Sequence, residues 1–217
     1  MNETYFEALA RCENGEIDTC FTGEKKKVFL IGDSIRQGYA PFVRECLAGK
    51  YDVVFPDENC RNTQYVITSL RTWANMFENK DDVVAVTFNC GHWDIAHFNG
   101  DEKSLTAPQE YAGNIRRIAR QLKAFFPCAK IMFVTTSPMA PGNKSYHFNP
   151  RTNEEIKAYN ALALSVCQEE GIPTKDLYAF MEHWGAECYQ DYAHPTSACS
   201  RILGEEVASA ILDMLSI

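Results

Sequence analysis

Two short segments of this chain contain residues whose types and order suggest chemistry. In Val28-Phe29-Leu30-Ile31-Gly32-Asp33-Ser34 an apolar run stops at a glycine and is followed by an Asp-Ser pair. Ile35-Arg36-Gln37-Gly38-Tyr39 then opens toward a helix. A serine hydroxyl is a weak nucleophile unless a base stands beside it. Asp191-Tyr192-Ala193-His194-Pro195 offers that base. Asp191 precedes His194 by three residues, so one turn brings its carboxylate to the imidazole Nδ1 and leaves Nε2 to face the serine. Pro195 stiffens the exit from the turn. Acyl transfer at Ser34 with His194 as base and Asp191 as its orienting acid is the chemistry these types allow, provided donors for an oxyanion are also supplied.

Something must carry the two segments to one place. Val28–Ile31, Tyr51–Phe55, Val83–Phe88 and Ala129–Thr135 are short β-branched runs without clean alternation, the pattern of strands covered on both faces. A weaker fifth falls near Pro173–Leu177. Helical stripes fill the gaps. Tyr111, Ile115, Ile118, Leu122 and Phe125 recur at steps of three and four, as do Ile156, Tyr159, Leu162 and Val166, and later Leu203, Val207, Ile211 and Met214. Thr106-Ala107-Pro108-Gln109 and Thr152-Asn153-Glu154-Glu155 read as capping boxes at two helix starts. Strand–helix alternation predicts an α/β protein with about five parallel strands between two helical layers. In such sheets the ends of the strands form the ligand crevice, which is where Ser34 would stand.

Composition narrows the function. The 217 residues include 21 basic and 29 acidic side chains, for a net charge of −8. That balance argues against nucleic acid as a partner. Residues 1–24 hold six acids and one base, so they read as an acidic N-terminal extension and residues 25–217 as the active domain. Lys25-Lys26-Lys27 between them reads as a solvated run. Nine cysteines, an odd number with no Cys-x-x-Cys pair, suggest free thiols in a reducing cytoplasm rather than a zinc knuckle. No leader pattern and no membrane-length apolar run is present, so no membrane partner is expected.

The Gly32-Asp33-Ser34 and Asp191-x-x-His194 blocks resemble those of the SGNH/GDSL hydrolases, over about residues 27–217. That family comprises esterases, lipases, thioesterases and carbohydrate O-acetylesterases on a flavodoxin-like three-layer sandwich. The resemblance implies strand order 2-1-3-4-5, Ser34 as nucleophile, His194 as base, Asp191 as orienting acid, and no metal or organic cofactor. It also implies two further oxyanion donors beside the Ser34 amide. One is a glycine after the second strand, where this chain has Cys60 in Glu58-Asn59-Cys60-Arg61-Asn62-Thr63. The other is the asparagine of a Gly-x-Asn-Asp block, where this chain reads Asn89-Cys90-Gly91-His92-Trp93-Asp94. Gly91 and Asp94 match, Trp93 stands in the asparagine position, and Asn89, or less favourably His92, is the expected replacement donor.

Other residues keep two readings. Arg36 binds a substrate carboxylate or pairs with a local acid. Arg61 and Asn62 sit on a loop facing the same crevice and are expected to touch substrate. Trp93 packs over its loop or stacks on a sugar. His92, Asp94 and His97 have a metal-like spacing, yet neither a helix nor a strand aligns all three. His147 and Trp184 read as structural. The expected substrate is a small acyl ester, such as acetyl on a carbohydrate. A non-catalytic binding module on the same fold and an O-acyltransferase using the same residues are the competing readings.

Overall fold

Alternation along the first strand sets the architecture. In the computed structural model, which describes residues 25–142 and 149–216, β1 (Lys27–Ile31) is buried along its whole length. Val28 and Leu30 face one apolar core, and Phe29 and Ile31 face another. Successive strand side chains point to opposite faces, so a wholly apolar strand requires cover on both sides. The acidic extension and His147 lie outside the described residues.

Four further strands complete the sheet: β2 (Asp52–Val54), β3 (Val83–Phe88), β4 (Lys130–Val134) and β5 (Thr174–Lys175). All four pairings are parallel, in the order β2-β1-β3-β4-β5. Both the fold class and the strand order match the expectation. On one face lie α2 (Thr63–Asn75), α4 (Pro108–Phe125) and α5 (Asn153–Glu170), with Leu70, Ile118 and Ala163 fully buried. On the other lie α1 (Ser34–Leu47) and α7 (Ser197–Ser216), joined by Leu177 and Met181 of α6 (Leu177–Met181). A four-residue α3 (His92–Ile95) follows β3.

Local signals held with two exceptions. Thr152 and Glu155 form the expected reciprocal cap of α5. At α4 the N-cap is Ala107, with Pro108 in the first turn and no side-chain cap. The Thr106 hydroxyl, expected there, donates instead to Asp94 at 2.8 Å. Lys27 is not solvated: it begins β1 at 3% exposure, because pairing with both β2 and β3 encloses its backbone. Its neighbours Lys25 and Lys26 do face water, where Lys26 meets Asp82 at 2.7 Å.

The sheet reverses its winding at β1 and β3, so the loops after these strands open onto one crevice. Helix packing then brings in the distant segment. Gly204 of α7 lies against α1 so closely that a Cβ there would stand 2.5 Å from Phe42 Cβ and 3.0 Å from the Tyr39 carbonyl. The helix that starts at Ser34 and the helix that follows His194 are thereby held side by side.

Candidate active site

Asp33 shapes the start of α1. Its side chain accepts the Ile35 amide at 2.9 Å as the N-cap, which leaves Ser34 as the first helical residue. Amides of a first helical turn lack intrahelical partners and sit at the positive end of the helix dipole. Ser34 thus combines a hydroxyl with an amide free to meet negative charge. Gly32 is needed here for space, since a Cβ would lie 1.8 Å from Asn89 Oδ1. Burial pushes the Asp33 carboxyl up, against the pull of the Ile35 amide, the Asn89 side chain and the charges of Arg151 and His194.

His194 Nε2 lies 2.7 Å from Ser34 Oγ. Its Nδ1 is 2.8 Å from Asp191 Oδ2 and 3.0 Å from Oδ1. The same carboxylate accepts the amides of Ala193 at 2.9 Å and His194 at 2.8 Å, so one tight turn fixes both residues. Burial alone would raise the Asp191 carboxyl, but those two amides and the His194 ring outweigh it and hold it below the usual range. The turn is closed by the Gln190 amide on the His194 carbonyl at 2.9 Å and tied to the β4–α5 loop by the Ala140 amide on the Tyr192 carbonyl at 2.9 Å.

A cavity of about 140 Å³ opens beside this group. Ser34, Ile35 and His194 form one part of its wall. Asn59, His92 and Trp93 come from the loops after β2 and β3. Asn149 and Arg151 come from the segment before α5, and Tyr192 from the Asp191–His194 turn. Trp93 lines the cavity, and its ring packs 5.9 Å from that of Phe98, which fits the packing role. His92 is buried with Nε2 3.2 Å from Ser137 Oγ. Burial, reinforced by the nearby Arg151 and His194 charges, holds His92 neutral, well below the ordinary histidine range.

The other sequence-predicted residues are placed elsewhere. The Cys60 amide is engaged with the Gly32 carbonyl at 3.1 Å, and its thiol is fully buried. Left-handed backbone falls one residue later, at Arg61 with φ 52°. The Arg61 amide donates to Asn59 Oδ1 at 2.8 Å, and its guanidinium lies 5.0 Å over the Tyr65 ring. Asn62 caps α2 by accepting the Tyr65 amide at 2.9 Å. Asn89 packs on Gly32, outside the cavity wall. Gly91 permits close contact with the segment after β4, as a Cβ there would lie 1.9 Å from Thr136 Oγ1.

Arg36 fits neither of its expected roles. It is fully buried and donates to carbonyls alone or to sulfur: Pro56 at 2.7 Å, Glu58 at 2.6 Å, Gly32 at 3.1 and 3.3 Å, and Cys60 Sγ at 3.6 Å. The metal-like trio is likewise dispersed. Asp94 accepts the Thr63 amide at 3.1 Å and the Thr63 and Thr106 hydroxyls at 2.6 and 2.8 Å. His97 turns to Glu155 at 2.7 Å. Burial raises Asp94 to about 6 in spite of its hydrogen bonds. Trp184 packs against Phe180 with ring centroids 5.8 Å apart.

Asn59, Asn149, Arg151 and Tyr192 on the cavity wall escaped the sequence reading. One signal was present: Arg151 directly precedes the Thr152 cap, so it ends a loop leaving the C-terminal edge of β4, where ligand-facing residues are expected.

A parallel sheet of order 2-1-3-4-5, with a serine ending its first strand against an Asp/His turn, defines the class of SGNH hydrolases. Residues 30–202 match the GDSL-like Lipase/Acylhydrolase family model, and the chain belongs to that family. It is 27% identical over 207 residues to a GDSL esterase/lipase of Arabidopsis thaliana, covering 86% of each protein. Over 175 residues it is 25% identical to the isoamyl acetate-hydrolyzing esterase 1 homolog of Bos taurus, covering 74% of this chain and 70% of that one. A carbohydrate acetylesterase from Sinorhizobium meliloti shares the fold with a TM-score of 0.65 and 15% identity, covering 88% of this chain and 100% of the other. The protein is an ester-hydrolysing hydrolase, which sets aside the non-catalytic binding module. No described helix is long and apolar enough to cross a membrane.

Proposed function

We propose that the protein is a serine esterase that removes a small acyl group, acetyl on a carbohydrate being the favoured case, through an acyl-enzyme. The observation behind this reading is the continuous chain from Ser34 Oγ to His194 Nε2 at 2.7 Å and from His194 Nδ1 to Asp191 at 2.8 Å. In the first step Ser34 Oγ attacks the ester carbonyl while His194 Nε2 takes its proton, then passes that proton to the departing alcohol. In the second step water attacks the acyl-serine with the same histidine as base, and the acid leaves. Asp191 keeps Nδ1 protonated and stabilises the imidazolium that forms.

The Ser34 amide is the first oxyanion donor. We assign the second to Asn59 in place of Cys60 or Asn89. The Arg61 amide occupies Asn59 Oδ1, which leaves the Asn59 amide NH₂ as a donor on the cavity wall. Asn89 and Gly91 are assigned to holding the turns behind that wall. A cavity of about 140 Å³ is small beside the roughly 300–1,000 Å³ of drug-sized ligand sites, which favours short acyl groups. The acetate ester named for the bovine relative and the acetylated carbohydrate named for the bacterial structure agree in acyl size. Seven described cysteines are free thiols, which favours a reducing compartment such as the cytoplasm.

The test is fluorophosphonate labelling, combined with an ester panel spanning acyl lengths and acetylated sugars. Labelling of Ser34 that is lost in His194→Ala is expected, with turnover falling as the acyl chain lengthens. An unlabelled Ser34, or preference for long-chain esters, would overturn the corresponding half of the reading. Release of free acid rather than a transesterified product when alcohol acceptors compete separates hydrolysis from acyl transfer.

A further inference from the structure

Among the described residues, no carboxylate pairs with the arginine at the cavity. Arg151 is 6% exposed and shares the cavity wall with Ser34 and His194. One Nη donates to the His92 carbonyl. The other reaches the Tyr192 hydroxyl at a long 3.3 Å. Nε has no partner among the described residues, and none of their carboxylates pairs with this guanidinium within 4.0 Å. Asp33 and Asp191 exert charge on it from further away, and both are engaged, one capping α1 and one holding His194.

The cavity wall has other unmet polar atoms. His92 Nδ1 and Asn149 Oδ1 are also buried without partners among the described residues, and both residues line the same space. Buried polar groups are nearly always hydrogen-bonded, and an uncompensated buried charge is costly to keep. Three such atoms on residues around one cavity therefore call for a polar ligand. The planar guanidinium fork is suited to a carboxylate, which it binds with paired, charge-assisted hydrogen bonds.

We propose that Arg151 is the anion-recognising residue of the active site and that the preferred substrate is a small ester bearing a carboxylate, with His92 and Asn149 as further polar contacts. This deepens the esterase reading and rests on it. The carboxylate has two possible positions, on the acyl side as in a dicarboxylic acid hemiester or on the alcohol side as in an acetylated uronic acid. The competing account is that Arg151 only ties the His92 loop to the Tyr192 turn.

Matched substrate pairs separate these accounts in the full-length protein. The acyl-side pair is 4-nitrophenyl hemisuccinate and 4-nitrophenyl butyrate. The alcohol-side pair is O-acetyl glucuronic acid and O-acetyl glucose. The wild type is expected to favour the charged member of one pair by about 10–100-fold in kcat/KM, the range of a charge-assisted hydrogen bond. Arg151→Gln should bring that ratio close to one, and Arg151→Lys should restore part of it. Equal losses on both members, with the ratio kept, would make Arg151 a positioning residue and overturn the proposal. No charge preference in either pair would overturn it too, while hydrolysis and Ser34 labelling would leave the esterase reading standing. Should the variants not fold, wild type decides alone: succinate or glucuronate, but not glucose, should slow fluorophosphonate labelling of Ser34. Equal protection by all three, or by none, would overturn the assignment.

Discussion

Arg36 in the first turn of α1 and Arg151 in the loop before α5 are both buried arginines near Ser34, and their hydrogen bonds separate two regions of the molecule. Arg36 spends its donors on the carbonyls of Gly32, Pro56 and Glu58 and on the Cys60 sulfur. It clamps the loop after β2 to the turn that precedes Ser34. Arg151 meets one carbonyl and one distant hydroxyl, keeps an orphan Nε, and borders open space. Asp33 and Asp94 repeat the contrast with Asp191. The first two are buried behind the cavity and raised by burial, whereas Asp191 is partly exposed and lowered by its amides and His194. Arg36 and Asp94 thus belong to a hydrogen-bonded supporting shell, whereas the cavity wall carries Arg151 Nε, His92 Nδ1 and Asn149 Oδ1 with no partner among the described residues. Proximity in sequence to Ser34 is a poor guide to which is which.

Substitutions on the reacting wall should remove rate and spare stability. Asp191→Asn leaves the turn but disfavours the needed imidazole tautomer, and about a 10⁴-fold fall in kcat is expected. Its urea midpoint should stay near that of wild type; an equal fall in midpoint would move Asp191 into the supporting shell. Arg36→Met tests the other side. Several buried carbonyls would lose their donors, and a loss of about 3–5 kcal/mol in unfolding free energy is expected. A variant as stable as wild type would show that Arg36 is no clamp.

Asn59→Ala should lower kcat by about 10²–10³-fold with a smaller effect on KM. Asn89→Ala should instead act mainly on stability, and the reverse pattern would return the donor role to Asn89. The smallest effect concerns Asp94. Its folded pKa of about 6 lies above the ordinary 3.8, so between about pH 4 and 6 the folded state binds more protons than the unfolded one. Stability should fall across that window as pH rises, by up to about 3 kcal/mol from this group alone. Asp94→Asn should lack that part of the slope, as read from urea midpoints at pH 4.5, 5.5 and 6.5. An unchanged slope would place the titration on another group.

Much of this architecture was legible in the chain. Burial of both faces of Val28–Ile31, the helical stripe from Tyr111 to Leu122 and the Thr152–Glu155 cap are local patterns, repeated by the backbone geometry of strands and helices. The Asp191–His194 turn was legible for the same reason, since three residues span one turn. Less was readable where polar groups have more than one partner within reach. Thr106 had the spacing of a cap, but Asp94 offered its hydroxyl a buried charged acceptor. Cys60 stood near the expected glycine position, but its amide closed onto Gly32 and the left-handed residue became Arg61.

The sequence by itself determined the sheet, the helices and the turn that joins Asp191 to His194, because periodicity and short spacing are properties of neighbouring residues. Only the tertiary structure decided which donors remain free around them. Hydrogen bonds among the loops after β1, β2, β3 and β4 join residues tens of positions apart, and each one formed removes a donor from the cavity. That competition satisfied Arg36, exhausted the Cys60 amide and left Arg151 and Asn59 on the wall that faces Ser34.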